Sequence, residues 1–324
     1  MRFSEDMARR VLRGQEITKQ EALLLAREDT DSLCAAADLI RRQRCGDTFE
    51  LCSIANGKSG KCPEDCKYCA QSAHYPTNTG FYDLLGEKEL VNAARRSLEG
   101  GARRFSIVTS GRKLSCGEVK RLCGIYRAIK KEYPQLRLCA SHGLLDRQEF
   151  AMLAEAGVER YHNNLETSRG FFGQICSTHS YGDKLETIRR AREAGLAVCS
   201  GGIIGMGERM SDRIDMALQL RDLDIRSVPL NILNPIKGTP LENMPPLTEN
   251  EARRSAAIFR FLLPDAAIRL AGGRIRLRES GREMLRAGVN AAITGDMLTT
   301  AGITFQSDME MILSCGFRAG VLEK

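Results

Sequence analysis

A helix pattern runs directly into a strand pattern in residues 183–204, DKLETIRRAREAGLAVCSGGII. Apolar side chains recur at helical spacing from Leu185 through Ile188 to Ala191. Gly195 follows as the residue type that most readily takes the left-handed conformation at a helix end. The next run, 197–204, is small and apolar, as is typical of a strand buried on both faces. This stretch therefore predicts one helix and one strand of a parallel sheet.

The same unit recurs along the chain with a period of roughly 25–35 residues, which is typical of strands that alternate with helices. Strand patterns lie at 49–55, 104–109, 137–141, 160–164, 197–204, 227–233, 267–270 and 291–294. Helix patterns lie at 88–98, 117–131, 147–156, 183–194, 211–223 and 250–262. Eight such units close into a (β/α)8 barrel of the TIM type, whereas fewer would leave an open doubly wound sheet. Polar and reactive residues near the carboxyl ends of many strands favour the barrel.

The organisation predicted from these patterns is an α/β chain with two parts. Residues 1–48 read as helices that precede the barrel, and residues 49–324 read as the barrel itself. No linker or low-complexity segment divides the chain. We therefore expect a (β/α)8 TIM-type barrel with an N-terminal helical extension.

The composition is that of an ordinary globular protein. The 324 residues are 43% hydrophobic and carry 48 Lys and Arg against 41 Asp and Glu, a formal net charge of +7. Intrinsic disorder needs lower hydrophobicity, and nucleic-acid binding would need a basic stripe interleaved with aromatic residues. The longest uncharged run, 194–207, is too short and glycine-rich to span a bilayer, and residues 1–10 show no apolar signal segment. We expect a cytoplasmic protein without a membrane or nucleic-acid partner.

Twelve cysteines are many for a reducing compartment, where clustered thiols more often bind metal than form disulfides. Cys62, Cys66 and Cys69 form a C-x3-C-x2-C motif directly after the first strand pattern. A zinc site would need a fourth ligand, for which Cys52 and His74 are the nearest candidates. Three cysteines without a regular fourth instead favour an iron–sulfur cluster with one iron left open.

At these residues the chain resembles the radical S-adenosylmethionine superfamily, in which such a loop follows the first strand of a (β/α) barrel. Within that superfamily, the resemblance to the biotin synthases extends over nearly the whole chain. It rests on five segments in order: 62–72 CPEDCKYCAQS, 161–168 YHNNLETS, 198–208 VCSGGIIGMGE, 231–240 NILNPIKGTP and 268–274 IRLAGGR.

The resemblance implies a [4Fe–4S] cluster on Cys62, Cys66 and Cys69, whose open iron binds S-adenosylmethionine. One-electron reduction, with flavodoxin or ferredoxin as donor, then releases a 5′-deoxyadenosyl radical. Family members take hydrogen from dethiobiotin at C9 and C6 and insert sulfur to give biotin, and they are expected to be homodimers. By the same resemblance, the residues that bind S-adenosylmethionine are Tyr68, Asn164, Glu166 and Lys184, and those that bind substrate are Asn164 and Asn231.

The inserted sulfur comes, in this family, from an auxiliary cluster deep in the barrel. The matching ligand positions are Ser106, Cys139, Cys199 and Arg269. Ser106 departs from the family, which carries a cysteine there, and a serine oxygen is a harder and poorer ligand for iron than a thiolate. The auxiliary cluster is therefore either a [2Fe–2S] centre or a larger variant, and Cys176 or Cys52 are candidates to replace Ser106.

Arg269 carries an independent signal, because a charged residue inside the apolar strand at 267–270 needs a buried partner. An anionic cluster would provide this buried partner for Arg269, and so would a buried carboxylate.

Two other functions compete with sulfur insertion. A related radical enzyme, such as a hydrogenase-cofactor maturase or a methylornithine synthase, would keep Cys62, Cys66 and Cys69. It would not need Cys139, Cys199 and Arg269 together. A non-enzymatic iron–sulfur or zinc sensor would need an appended module with a concentrated basic face, and the sequence shows none.

Overall fold

The computed structural model describes residues 2–299 and 302–322. Three helices come first: α1 (Phe3–Leu12), α2 (Lys19–Leu25) and α3 (Thr30–Cys45). The strands are β1 (Thr48–Lys58), β2 (Arg104–Thr109), β3 (Arg137–Ser141), β4 (Val158–His162), β5 (Ala197–Cys199), β6 (Gly202–Ile204), β7 (Ser227–Ile232), β8 (Ala267–Leu270), β9 (Ala291–Thr294) and β10 (Arg318–Ala319). The remaining helices are α4 (Glu87–Glu99), α5 (Cys116–Glu132), α6 (Arg147–Glu155), α7 (Arg169–Phe172), α8 (Tyr181–Glu193), α9 (Met210–Asp222), α10 (Glu249–Leu262) and α11 (Phe305–Ser314).

The strands form a closed parallel barrel. Their order is β1-β2-β3-β4-β5-β7-β8-β9, and β9 pairs back onto β1, with Glu50 beside Ala291. β5 and β6 together occupy the fifth position, and both pair with β7. The pairing of the first and last strands confirms the (β/α)8 barrel and excludes the open sheet. Within the described residues, no helix is both long and apolar enough to cross a membrane.

Most strand bounds agree with the sequence patterns, but the run 197–204 is not one continuous strand. The break falls at Ser200 and Gly201, where the Gly201 amide donates to the Asn164 side-chain oxygen at 3.1 Å instead of joining the ladder. A Cβ at Gly201 would also overlap the Pro229 carbonyl oxygen. Close backbone packing thus explains this glycine without any ligand.

Capping boxes fix where several barrel helices begin. In α5, the Ser115 hydroxyl accepts from the Glu118 amide, and the Glu118 carboxylate accepts from the Ser115 amide at 2.8 Å. Each such cap is worth about 1 kcal/mol. The same arrangement opens α6, α8 and α10, with Asp146, Ser180 and Thr248 as the capping residues.

The N-terminal helices pack against the outer face of the barrel. Arg254 on α10 donates to the carbonyls of Ala26 and Glu28 at 2.7 and 2.6 Å. Arg44 at the end of α3 makes a bidentate pair with Asp265, at 2.9 and 2.8 Å. These contacts hold the N-terminal helices against α10 and the segment that precedes β8.

A buried carboxylate links several strands in the interior of the barrel. We call this region, around Glu50, Arg104, Arg160 and Arg269, the floor of the barrel. Glu50 on β1 is 1% exposed, and its Oε1 accepts from Arg104 Nε on β2 at 3.0 Å and from Arg269 Nη2 on β8 at 2.8 Å. Arg160 Nη1 on β4 lies 3.7 Å from the same oxygen. Burial alone would raise the pKa of Glu50, but the charges of Arg269, Arg104 and Arg160 outweigh it and lower the pKa to about 2.

We predict that Glu50→Gln lowers the free energy of unfolding of the cluster-free protein by about 3–5 kcal/mol, because it leaves buried arginines without their counter-charge. The depressed pKa means that this contribution is complete above the ordinary value of 4.5 and is lost as pH falls toward about 2. Urea unfolding at several pH values measures both effects. Glu159→Gln, which breaks the half-exposed pair with Lys130, is the control and should cost less than about 1 kcal/mol. Equal losses in the two variants would contradict the prediction.

Candidate active site

The three motif cysteines lie in a loop at the carboxyl end of β1. The Cys62 amide donates to the Gln71 carbonyl at 2.9 Å, and the Ala73 amide donates back to the Cys62 carbonyl at 2.7 Å. Inside this closed loop, the Cys69 amide donates to the Cys66 carbonyl at 2.9 Å. Backbone hydrogen bonds therefore hold the loop in a tight fold at the mouth of the barrel, and the Ser72 hydroxyl supports it by donating to the Glu64 carbonyl at 2.6 Å.

The thiols of this loop are close enough to influence one another. Burial raises the pKa of Cys62 and raises that of Cys69 to about 11, with the Cys62 charge adding to the effect on Cys69. The pKa of Cys66 is raised by its hydrogen bond with Cys176 and by burial. Because metal ligands must be thiolates, a metal that binds here displaces protons from these thiols.

A cavity of about 420 Å³ extends inward from this loop. Cys62, Tyr68 and Cys69 line its mouth. Its deeper wall comes from inward-facing strand residues: Cys52, Arg104, Ser106, Cys139, Arg160, His162, Asn164, Cys199, Asn231 and Arg269. Thus one cavity joins Cys62 and Cys69 of the motif to the residues predicted for the auxiliary cluster. Cys66 is not part of the cavity wall, and its sulfur lies against Cys176.

Asn164 and Glu166 follow the end of β4 and face this cavity. Asn164 Oδ1 accepts from the Gly201 amide, and its Nδ2 donates to Glu166 Oε2 at 3.3 Å. Glu166 has a φ of 71°, in the left-handed region that few side chains adopt. Its carbonyl accepts from the Ile203 amide at 2.9 Å, which holds this backbone geometry in place. Such strain is typical of functional sites.

The other predicted binding residues also line the cavity. Asn231 bridges two backbones: its Nδ2 donates to the Gly202 carbonyl at 3.1 Å and its Oδ1 accepts from the Gly272 amide at 2.8 Å. Lys184, near the start of α8, and Tyr68 complete the wall. Burial lowers the pKa of the neighbouring His162 to about 4, so its ring is neutral near neutral pH.

At the floor, the structure gathers the predicted auxiliary ligands. Ser106 and Cys139 are register partners on β2 and β3. The Cys199 sulfur accepts from the Ser227 hydroxyl at 3.2 Å, and the Cys139 sulfur lies 3.7 Å from Arg104 Nη1. Cys52 lines the same cavity, where burial raises the pKa of its thiol and the charge of Cys139 adds to that effect.

Polar groups at the floor lack partners among the described residues. The buried Ser106 hydroxyl has no hydrogen-bond partner, and neither do Arg160 Nε and Nη1. Three arginines meet the single carboxylate of Glu50, so the group carries an excess of two positive charges. Buried donors and excess positive charge need an anion. Together with the thiols, they fit an anionic iron–sulfur cluster.

Of the two candidates to replace Ser106, the structure places only Cys52 at the floor. Cys176 lies instead behind the mouth loop, with its sulfur 3.7 Å from Cys66 Sγ and 3.2 Å from His179 Nδ1. A hydrogen bond from Cys66 lowers the pKa of the Cys176 thiol to about 4.

Sequence reasoning missed several residues of the site, namely Glu50, Glu64, Arg104, Arg160 and His179. The signal for the arginines was available, because both occupy strands that are otherwise buried, as Arg269 does. Glu64 and His179 carried no comparable signal, since they are adjacent only in the folded chain.

Comparison with known proteins gives two family matches. The radical SAM superfamily matches residues 58–220, and the Biotin and Thiamin Synthesis associated domain matches residues 229–318. Between them they cover both the cysteine loop and the C-terminal strands of the barrel.

Relatives that match over nearly the full length of the chain identify its family more specifically than these two models do. The biotin synthase of Clostridium botulinum is 53% identical over 309 residues, which cover 95% of this chain and 97% of the relative. That of Akkermansia muciniphila is 50% identical over 317 residues, which cover 98% of each chain.

Solved structures show the same fold at much lower identity. Methylornithine synthase aligns with a TM-score of 0.83 at 17% identity, over 98% of both chains. The FeFe-hydrogenase maturase of Carboxydothermus hydrogenoformans aligns with a TM-score of 0.80, also at 17% identity, over 97% of this chain and 78% of the maturase. These two share the barrel, whereas the high identity lies with the biotin synthases. The cysteine loop, the barrel and this full-length identity together establish that the chain belongs to the biotin synthase family of the radical S-adenosylmethionine superfamily.

Proposed function

We propose that this protein converts dethiobiotin to biotin by inserting sulfur at C9 and C6. One observation carries the proposal: a single cavity joins the cysteine loop at its mouth to a second group of thiols at its floor, where three arginines share one carboxylate. A related radical enzyme without sulfur insertion needs only the first of these. The space between them is mostly apolar, with a few polar side chains such as Asn164, Glu166 and Asn231, which suits a small substrate that has both apolar and polar parts.

Cys62, Cys66 and Cys69 would hold a [4Fe–4S] cluster, and the floor would hold the auxiliary cluster. When bound with S-adenosylmethionine, these groups supply a hydrogen-abstracting 5′-deoxyadenosyl radical and the sulfur to be inserted. The protein binds and orients the reactants. The inward position of the cavity also limits the access of water to reactive species.

Residues between mouth and floor would position the small molecules. Asn164 and Glu166 would hold the ribose of S-adenosylmethionine and one edge of the substrate. Tyr68 and Lys184 would complete the S-adenosylmethionine site. Asn231 keeps lone-pair capacity on its amide oxygen after accepting from the Gly272 amide, so it can also accept from a ureido N–H.

For the auxiliary cluster we propose thiolates from Cys52, Cys139 and Cys199, with Arg269 beside them and Ser106 donating its unpaired hydroxyl. Iron prefers sulfur to a serine oxygen, and Cys52 reaches the floor from β1, the neighbour of the strand that carries Ser106. Whether the cluster is [2Fe–2S] or larger follows from its iron and sulfide content.

The electron donor, the oligomeric state and the cellular location are proposed from the same family. We propose that flavodoxin or ferredoxin supplies the electron, that the enzyme is a homodimer, and that it works in the cytoplasm. We also propose that residues 1–48 form a helical extension of the barrel domain at 49–324.

The proposal predicts that protein reconstituted anaerobically with iron and sulfide forms biotin and 5′-deoxyadenosine when given S-adenosylmethionine, reductant and dethiobiotin. Cys139→Ala should reduce biotin formation about 100-fold or more by removing a cluster ligand. The same variant should keep 5′-deoxyadenosine formation within about threefold, since the mouth loop is intact. Cys116→Ala, at an exposed cysteine, is the control. S-adenosylmethionine cleavage without biotin in the parent protein would contradict the substrate assignment.

The ligand set predicts different iron contents for two neighbouring substitutions. In a background with Cys62, Cys66 and Cys69 all replaced by alanine, only the floor can hold a cluster. There, Cys52→Ala should retain about a tenth or less of the bound iron and sulfide, and Ser106→Ala should retain most of it.

Cys34→Ala, at another buried cysteine, serves as the control for simple loss of a core thiol. Loss of iron in Ser106→Ala with retention in Cys52→Ala would make the serine the ligand.

A further inference from the structure

A second group of metal-ligating side chains lies behind the cysteine loop, and the proposed reaction does not use it as a group. Cys66, Cys176 and His179 each present a ligand atom there, and these atoms all lie within 4.8 Å of one another. Cys66 belongs to the loop after β1, whereas Cys176 and His179 form a C-x2-H pair between α7 and α8. None of the three lines the cavity. We call them the Cys66–Cys176–His179 group.

The spacing of these ligand atoms is that of a tetrahedral zinc site. With Zn–S bonds of about 2.3 Å and Zn–N bonds of about 2.0–2.1 Å, two sulfurs of one tetrahedron lie about 3.8 Å apart, and a sulfur and a nitrogen about 3.6 Å apart. The sulfurs of Cys66 and Cys176 are 3.7 Å apart. The Cys176 sulfur is 3.2 Å from Nδ1 and 3.9 Å from Nε2 of His179. One ion can therefore contact all three residues with only small side-chain shifts.

A carboxylate stands behind the histidine of this group. Glu64 Oε2 contacts His179 Nδ1 and accepts from the Thr178 hydroxyl at 2.6 Å. A histidine that binds a metal almost always donates its other ring N–H to a carboxylate, a carbonyl or water. Nδ1 of His179 would donate to Glu64 in this way, which leaves Nε2 for the ion. Glu64 is thus a positioning residue for the site.

Backbone contacts hold the two halves of the group together without any metal. The Lys67 amide donates to the Ile175 carbonyl at 2.9 Å, and the Asp65 carboxylate accepts from the Ser177 amide at 2.8 Å. These bonds join the cysteine loop to residues that follow it by more than a hundred positions in the sequence. A site whose ligands are already held in place loses little conformational freedom when an ion binds.

The ligand types select the ion. Two thiolates and an imidazole suit zinc, whereas magnesium and calcium prefer oxygen ligands. Zinc accepts this set with water in the fourth position. The ligands that the sequence offered for zinc, Cys52 and His74, are not in the group. The folded chain supplies Cys176 and His179 in their place.

We propose that the cluster-free protein binds one Zn²⁺ ion at Cys66, Cys176 and His179, and that this ion competes with the [4Fe–4S] cluster. The competition arises because both need the thiolate of Cys66. Binding releases thiol protons to solvent and involves no change of oxidation state. The inference rests on the proposed function only in that Cys66 is a cluster ligand.

Zinc affinity is measured on the reduced, cluster-free full chain by competition with a chromophoric zinc chelator. The double variant Cys62→Ala/Cys69→Ala cannot hold the cluster but should keep the zinc site. Adding Cys176→Ser, which replaces the thiol with a poorer ligand of similar size, should weaken binding about 100-fold or more. Adding Glu64→Gln should weaken it about 10-fold or more. Cys123→Ala, at a buried cysteine outside the group, is the control.

The competition is measured in protein that keeps all three motif cysteines. A Cys139→Ala background prevents the auxiliary cluster from contributing to the signal. Zn²⁺ added before iron and sulfide should reduce the [4Fe–4S] cluster detected by electron paramagnetic resonance after reduction. With Cys176→Ser added, the same amount of cluster should form without zinc, which shows that this variant folds. The zinc concentration that halves cluster assembly should then rise about tenfold or more.

Two results would overturn the inference. An unchanged zinc affinity on adding Cys176→Ser to the double variant would show that this thiol is not a ligand. Equal inhibition of cluster assembly by zinc with and without Cys176→Ser would show that zinc occupies the motif cysteines themselves.

Neither experiment uses S-adenosylmethionine or dethiobiotin. Failure to form biotin would therefore count against the substrate and leave the zinc site standing.

Discussion

The buried Glu50 carboxylate is the constraint on which the interior of this barrel depends. It accepts from arginines on two strands and faces a third, so the floor is held together by charge rather than filled with apolar side chains. One carboxylate does not balance three guanidinium groups. The remaining positive charge, with the unpaired donors of Arg160 and Ser106, makes the floor a place for an anion. The same interaction thus stabilises the fold and prepares the deeper of its two cluster sites.

The two ends of the cavity are built in different ways. Backbone hydrogen bonds within one loop hold Cys62, Cys66 and Cys69 together, and the Lys67 amide and the Asp65 carboxylate dock that loop on residues 175–178. The floor takes Cys139 and Cys199 from separate strands, so it exists only once the barrel has closed. The floor therefore depends on the register of several strands, whereas the cysteines of the mouth lie within eight residues of one another in the sequence.

Several elements were predictable because their signals are local. The bounds of β2, β3, β8 and β9 match the sequence patterns, because the apolar runs in the sequence mark both ends of these strands. The break between β5 and β6 was not predictable, because it depends on the Asn164 side chain from the segment that follows β4. The roles of Arg104 and Arg160 were missed for a similar reason: a charged residue in a strand shows that a partner exists but not which one.

The amino-acid sequence alone determined the barrel, the cysteine loop and the family, because helical spacing, C-x3-C-x2-C spacing and the order of five segments are all readable along the chain. Tertiary structure decided which distant residues meet. It brought Cys52 to the floor and Cys176 to Cys66, although both were candidates for one role in the sequence. The physical reason is that strand register and loop docking set distances between side chains, and neither is encoded in the spacing of the residues concerned.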